Sequence, residues 1–410
     1  MKKLLFVSYF FPPIHSVEST MAINAIKYLS HHEWLPIVVA SRSSREFGID
    51  PQSAQTIPDG LTIIRTRSWE GVLIRLLNRL GWVTDAMVGW SPFALSAARR
   101  VLRQDRVDAV VSRANPITSH LVAYRIARGG SSKLPWIALF GDPWTQNPYA
   151  RPVNRWIRRW REGIERRILR SADAVVVTTE PTKQLLADKY GFTDKIHVLP
   201  NTYDLAELCV YRRSEDSLSA PNHSLVITHA GSLYGMRSPE PLFKALALLR
   251  DQHPEVFPNL VVRLVGALPQ FIHLIDQYRL KDVVHLSGVL SRADTLSLLG
   301  KSDLLLVVDA PSRNPSLFLP AKLIEYLAFH KPILAITPPG VTADLVRNAN
   351  VGSAVNPIDT IGLVQAITQY YQLHQTGQLR VQPNQSELDR YSAANYAEQL
   401  SALLDRLIAR

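Results

Sequence analysis

Apolar residues along this chain come in short unbroken runs, separated by stretches where they recur every three or four positions. In the first half the runs predict strands over Leu4–Tyr9, Leu35–Ala40, Leu61–Arg65, Ala109–Ser112, Trp136–Phe140 and Ala174–Thr178. In the second half they predict strands over Leu225–Ala230, Asn259–Val265, Val283–Ser287, Leu304–Val308 and Pro332–Ile336. Runs with so little alternation are the mark of strands buried on both faces, as in parallel sheets covered by helices. The spacers read as those helices: Met21, Ala25 and Tyr28-Leu29 fall near 3.6 spacing over Thr20–Leu29, and a last helix lies near Ala393–Ala409. The pattern predicts an α/β fold with two doubly wound parallel sheets. Segment 204–224 carries Arg212-Arg213, Glu215-Asp216 and scattered Ser, Pro and Asn without periodicity, and reads as a linker.

Composition agrees with this division. A length of 410 residues suits two domains of about 200 residues each. The single cysteine, Cys209, excludes a disulfide framework and thiolate metal clusters, and fits a reducing cytosol. Met1-Lys-Lys and the apolar run after it resemble the start of a secretory leader, but Pro12-Pro13 ends the run early, so a first strand is expected instead. No stretch approaches the ~18–20 apolar residues of a spanning helix, so membrane contact is expected to be peripheral. The formal net charge is +11, and residues 1–205 carry all of it, with 28 Lys and Arg against 17 Asp and Glu. A basic half beside a neutral half points to an anionic partner for the first half: a lipid surface, a lipid diphosphate or a nucleic acid.

The most informative chemistry lies in residues 303–336. The buried runs Asp303–Asp309 and Lys331–Ile336 flank a loop and the block Pro320-Ala-Lys-Leu-Ile-Glu325, which reads as a helix opening on proline. Such a loop delivers ligand to a helix N-terminus at the carboxyl end of a sheet, where free N–H groups favour an anion. Lys322 suits a phosphate. Glu325, one turn on, suits a vicinal diol, because a carboxylate accepts from two hydroxyls at once. Phosphate plus diol describes a nucleotide sugar. The first strand is followed not by a glycine fingerprint but by Phe10-Phe-Pro-Pro-Ile-His-Ser-Val17, and no Walker loop is present. That argues against a dehydrogenase and a P-loop NTPase.

Five further elements follow in order: Tyr9-Phe-Phe-Pro-Pro13, Phe140-Gly-Asp-Pro-Trp144, Ile196-His-Val-Leu-Pro-Asn-Thr-Tyr-Asp204, Ala230-Gly-Ser-Leu-Tyr-Gly-Met-Arg237 and Ser287-Gly-Val289. With the Pro320–Glu325 block, they resemble the GT-B glycosyltransferases of the glycosyl transferases group 1 type, the retaining family 4. The resemblance covers nearly the whole chain. It implies two Rossmann-like domains facing a cleft: an acceptor-binding domain over 1–204, a linker over 205–224, a nucleotide-sugar-binding domain over 225–385, and a C-terminal helix over 386–410 packing back near the first domain. Arg237 matches the cation that holds the leaving diphosphate, Glu325 the ribose-binding glutamate, and Gly266 and Val289 the backbone beside base and phosphates. Gly231, Ser232, Pro320, Ala321 and Leu323 complete the implied donor set. The sequence departs from the family at Ser232, where an arginine is usual, and at Leu317, where a first glutamate is usual. His15-Ser16 replace a glycine pair.

The implied reaction is retaining sugar transfer from a nucleotide sugar to a lipid-linked or polysaccharide acceptor. A UDP-sugar is the first expectation for the donor, with a GDP-sugar or another as alternative, and no tightly bound cofactor or metal is expected. Arg237, Lys322 and Asp142 are the catalytic candidates; His15, Ser16, His120 and Trp144 are the acceptor-side candidates. Segment Trp69–Phe93, apolar and aromatic with Arg75 and Arg79, is a further acceptor candidate. The arginine-dense stretch Arg151–Arg170 reads as an amphipathic helix, either packed on its own domain or against an anionic membrane on the cytoplasmic side. The rivals are a GT-B epimerase or phosphorylase and a non-catalytic GT-B scaffold of a polysaccharide assembly complex. A nucleic-acid partner is not expected, since no recognised motif accompanies the charge.

Overall fold

In the computed structural model, which describes residues 1–129, 133–147, 153–212, 224–311 and 315–409, the chain divides into two compact units. The first comprises Met1–Thr202 and Ala393–Arg410, the second Tyr203–Ser392. The first unit contains seven parallel strands: β1 (Lys2–Val7), β2 (Trp34–Ser41), β3 (Thr62–Thr66), β4 (Ala109–Arg113), β5 (Trp136–Leu139), β6 (Ala174–Val177) and β7 (Ile196–Val198), ordered β3-β2-β1-β4-β5-β6-β7. Successive β1 residues feed opposite layers. Leu5 and Val7 enter a core with Val39, Trp90 and Val122, while Leu4 and Phe6 enter another with Val38, Ala22 and Ile26. The closing helix Ala393–Ile408 completes that second layer with Tyr396, Leu400 and Leu404. Asp405 secures it, accepting from Lys2 Nζ at 2.5 Å and Trp34 Nε1 at 3.0 Å.

The second unit contains six parallel strands: β8 (Leu225–Ala230), β9 (Leu260–Val265), β10 (Val284–Gly288), β11 (Leu304–Val308), β12 (Ile333–Ile336) and β13 (Gly352–Val355), ordered β10-β9-β8-β11-β12-β13. In both sheets the chain winds outward one way and then the other, so the order reverses between β1 and β4 and between β8 and β11. At such reversals the connections part and leave a crevice beyond the strands' carboxyl ends, where ligands of α/β sheets bind.

The structure adds two strands to those predicted, β7 and β13. Both are sheet edges of three or four residues, and Gly352-Ser-Ala-Val355 has no apolar run to betray it. The expected linker is partly helical, at Leu205–Leu208, while its residues 213–223 lie outside the described residues. Pro320 is the N-cap of the helix Ala321–Leu327 rather than its first residue.

The arginine-dense segment forms the helix Arg155–Ser171; Arg151 lies outside the described residues. It packs through Ile168 and Leu169, and its Glu165 is wholly buried. That carboxylate accepts from the Trp144 and Thr145 amides, each at 3.2 Å, from the Thr145 hydroxyl, and from the Tyr190 hydroxyl at 2.7 Å. A buried charge persists only when its oxygens are satisfied in this way. Glu165 thereby fixes the turn that follows β5, the one bearing Asp142.

Two substitutions test these supports. Gly352 has φ +153°, and a β-carbon there would overlap the Ile333 carbonyl, so Gly352→Ala should cost about 3 kcal/mol in urea unfolding. Glu165→Ala should cost about 3–5 kcal/mol by orphaning its four donors. An unfolding midpoint within error of wild type for either variant would contradict the packing described.

Candidate functional site

The carboxyl end of the second sheet gathers most of the predicted donor residues. After β8 the chain turns at Gly231 (φ +127°), and after β9 at Gly266 (φ +123°), a backbone region that favours glycine. A β-carbon on Gly266 would lie 2.6 Å from the Gly231 carbonyl carbon, so the two turns touch. They are stitched by Gly231 N donating to Val265 O at 2.7 Å and by Leu233 N donating to Ala267 O at 2.9 Å. Ser232 takes part in this stitching, since its Oγ accepts from Ala267 N at 3.3 Å.

Lys322 stands over this floor. A β-carbon on Gly231 would lie 2.5 Å from its Nζ, so glycine there leaves room for the ammonium. The Nζ is 3.3 Å from His229 Nε2. His229 is fully buried in β8, and its Nδ1 lies 2.9 Å from the Leu306 carbonyl oxygen. A carbonyl can only accept, so Nδ1 donates and Nε2 is left to accept from Lys322. Burial, and then the Lys322 charge, hold His229 well below the usual imidazole range. Burial, reinforced by Arg237, pushes Lys322 down to about 7, with Asp309 and Glu325 acting the other way.

Arg237 joins the same group, its Nε 3.8 Å from Asp309 Oδ1. Asp309 directly follows β11 and is 1% exposed. Burial raises its carboxyl, opposed by a 2.8 Å bond from the Ala310 amide and by the Arg237 and Lys322 cations. Two cations thus share one buried carboxylate. The helix Ala321–Leu327 is only seven residues long, so the positive potential comes chiefly from these side chains.

Glu325 is not a free carboxylate. Its Oε1 accepts from Arg292 at 2.6 Å, and Arg292 also donates to Glu207 at 2.7 Å. The three side chains form a part-buried chain of charges. Leu323 and Pro320 are buried, Ala321 is half-buried, and Val289 is 70% exposed.

The first unit has its own polar cluster at the carboxyl ends of its strands. Ser16 caps the helix Val17–Ile26, its Oγ accepting from the Glu18 amide. Glu18 Oε2 lies 3.4 Å from Nε of the buried Arg113, which also donates to Asn201 Oδ1 at 3.1 Å. Burial pushes the Glu18 carboxyl up to about 6, with Arg113 opposing and Asp142 adding to the rise. Asp142, exposed on the turn held by Glu165, is therefore electrostatically linked to Glu18.

The remaining acceptor-side candidates separate. His15 is exposed, and Trp144 packs part-buried against the core with Arg161 over its ring. His120 is a core residue: fully buried, 2.8 Å from Ser112 Oγ, with its ring tilted 4.5 Å from that of Phe140, and pushed by burial down to about 3. As placed, it has no surface to offer a ligand. His229, Arg292, Glu207, Glu18 and Arg113 were not anticipated. Their partners lie between 33 and 95 residues away in sequence, and no local spacing signals such pairs. Among the described residues no group of three or more His, Cys, Asp or Glu is arranged to hold a metal ion.

Comparison with known proteins places this geometry. Residues 19–207 match the model for Glycosyltransferase Family 4, and residues 210–385 match that for Glycosyl transferases group 1. A D-inositol 3-phosphate glycosyltransferase of Stackebrandtia nassauensis is 28% identical over 193 residues, covering 43% of this chain and 42% of that protein. The matched region spans less than half the length of the curated relatives. The structure of Anabaena Alr3699/HepE in complex with UDP and glucose superposes with a TM-score of 0.67 at 16% identity, covering 99% of this chain and 100% of that one. Sucrose-phosphate synthase from Thermosynechococcus elongatus gives a TM-score of 0.69 at 17% identity, covering 100% of both chains. With two doubly wound sheets, a cationic crevice on the second and family matches over both halves, the chain belongs to the GT-B glycosyltransferases of the glycosyl transferases group 1 family.

Proposed function

We propose that this protein transfers a sugar from a nucleotide sugar to an acceptor hydroxyl with retention at the anomeric carbon. The observation that carries the reading is the convergence of Lys322 and Arg237 on a glycine floor around the buried Asp309, with the nearby Glu325 already engaged by Arg292. That excess positive charge calls for an anion, and a diphosphate supplies one. The bond from the sugar's anomeric carbon to the diphosphate breaks, a bond to the acceptor oxygen forms, and the acceptor's proton leaves with the diphosphate or to solvent. Lys322 and Arg237 stabilise the charge that develops on the departing oxygens, the kind of effect that usually dominates catalysis.

Glu325 takes the ribose hydroxyls through Oε2, its Oε1 being held by Arg292. The pairing aims the carboxylate rather than blocking it, and Glu207 keeps Arg292 from being neutralised by Glu325 alone. UDP is the first choice of nucleotide, supported by the UDP complex of Anabaena Alr3699/HepE. The acceptor, a lipid-linked or glycan hydroxyl, is assigned to the first unit, with Asp142 and Glu18 orienting it. The scaffold alternative rests on Leu317 and Ser232, positions where the sequence departs from its family.

Arg237→Ala and Lys322→Ala should each lower kcat for sugar transfer about 10²–10³-fold while leaving the thermal midpoint close to wild type. Wild-type turnover in both would remove the site assignment, and absence of any UDP-sugar binding by calorimetry would favour the scaffold. Lys322 also makes a pH prediction. Its free pKa is about 7, and a bound diphosphate favours the charged form, so UDP binding near pH 8 should take up protons. Affinity should then fall as pH rises above about 7, by up to about tenfold per pH unit. Titration calorimetry in two buffers of different ionisation enthalpy reads the uptake directly. Lys322→Gln should abolish it, and unchanged uptake in that variant would contradict the role given to Lys322.

A further inference from the structure

An apolar and aromatic face of the first unit is left uncovered by the fold. The helix Val72–Arg79 has no buried residue. Trp69, Val72, Leu73, Leu76, Leu80 and Trp82 are between 49% and 72% exposed. This is a constrained segment rather than a loose one. Trp69 N donates to Gly89 O, Asp85 accepts from the Thr118 amide and hydroxyl at 2.8 Å, and Trp90 Nε1 donates to Thr66 at 2.7 Å. These anchors tie both ends of the segment to the unit, Trp90 being fully buried, and leave the helix between them turned outward.

The structure places a second exposed aromatic pair beside it. A β-carbon on Gly81 would lie 3.0 Å from the Ile157 side chain, so the end of this segment rests on the first turns of the helix Arg155–Ser171. There Trp156 is 69% and Trp160 43% exposed, one turn apart on one face. Arg155 and Arg159 lie 5.3 and 5.9 Å from the Trp156 ring. Among the described residues, Arg75, Arg79, Arg155, Arg158 and Arg159 form no ion pair, whereas Glu162 of the same helix is engaged by Lys189 and Glu165 is buried. Two stretches more than 70 residues apart in sequence thus form a single face, apolar and aromatic at its centre and cationic around it.

We propose that the face joining Val72–Leu80 and Trp82 to the first turns of the helix Arg155–Ser171 docks on an anionic lipid bilayer. Exposed apolar patches of this kind on a folded unit mark interaction sites. Tryptophan places an apolar body and a polar N–H at the membrane–water boundary, and leucine on one side of a short helix enters the acyl region. Arginine is attracted to anionic headgroups. A protein partner would need acidic groups to match five unpaired arginines. A second copy of this strongly basic unit would bring like charges together. The inference does not depend on the sugar-transfer reading.

The test is co-sedimentation of the full-length protein with vesicles of phosphatidylcholine containing phosphatidylglycerol, and of phosphatidylcholine alone. Anionic vesicles should bind at least about tenfold more tightly, with a blue shift in tryptophan emission, and added salt should weaken the binding. Arg155→Gln/Arg158→Gln/Arg159→Gln should weaken it about 100-fold, at about fivefold per arginine. Leu73→Gln/Leu76→Gln should weaken it about tenfold or more. All these side chains are exposed, so circular dichroism and UDP binding by calorimetry should match wild type. Loss of UDP binding in wild type would bear on the proposed function and not on this face. Failure of wild type to sediment, equal binding to both vesicles, unaltered binding by both variants, or self-association abolished by the variants without lipid binding would each overturn the proposal.

Discussion

An excess of positive charge held in a partly desolvated place is the constraint on which the proposed donor site depends. Arg237 lies close enough to disfavour the Lys322 charge, while Asp309 beside both cations, and Glu325 one turn from Lys322, act the other way. Such an arrangement is costly when empty and favourable when an anion arrives, because the anion's charge is then worth more than it would be in water. The surrounding features follow from holding these cations in place. Glycine at 231 leaves room for the Lys322 ammonium, the His229 tautomer offers it an acceptor, and the Tyr326 hydroxyl accepts from the Ala230 amide at 2.9 Å, tying the helix to β8.

The two units use the same sheet topology to opposite electrostatic ends. At the carboxyl end of the second sheet Lys322 and Arg237 gather around the buried Asp309, while Glu325 is engaged by Arg292. At that of the first, Asp142 adds to the rise of the Glu18 carboxyl and Arg113 is the buried counter-charge. A phosphate suits the first arrangement, and hydroxyl donors suit the second. The proposed division of donor and acceptor between the units rests on this difference in charge.

Glu325 shows how a motif residue can be identified and still be misjudged in detail. Its position in the Pro320–Glu325 block suggested a carboxylate open to two hydroxyls. Arg292, 33 residues earlier, occupies one oxygen, and Glu207 shares the arginine. His120 shows the reverse: a histidine in a basic half, plausible as a ligand contact, sits between Ser112 and Phe140 where water does not reach.

The eleven strands predicted from apolar runs are all present; nine are interior strands, which must be largely apolar and so announce themselves locally, and the edge strands β3 and β10 carried short apolar runs of their own. Edge strands β7 and β13 were silent, since an edge needs no such run. The Pro320–Glu325 block was legible because a helix start imposes residue types at fixed spacing, whereas Arg237, Gly231 and Gly266 were expected only from the family resemblance. Sequence alone therefore determined the two doubly wound sheets, the charge asymmetry and the Lys322–Glu325 pair of the proposed donor site. Tertiary structure decided which charges meet: Glu18 with Arg113, Glu325 with Arg292, Lys322 with His229. It also decided that Ile157 meets Gly81, joining two exposed apolar stretches into one face. Those pairings depend on distance through space, which chain folding sets and which residue order along the chain does not record.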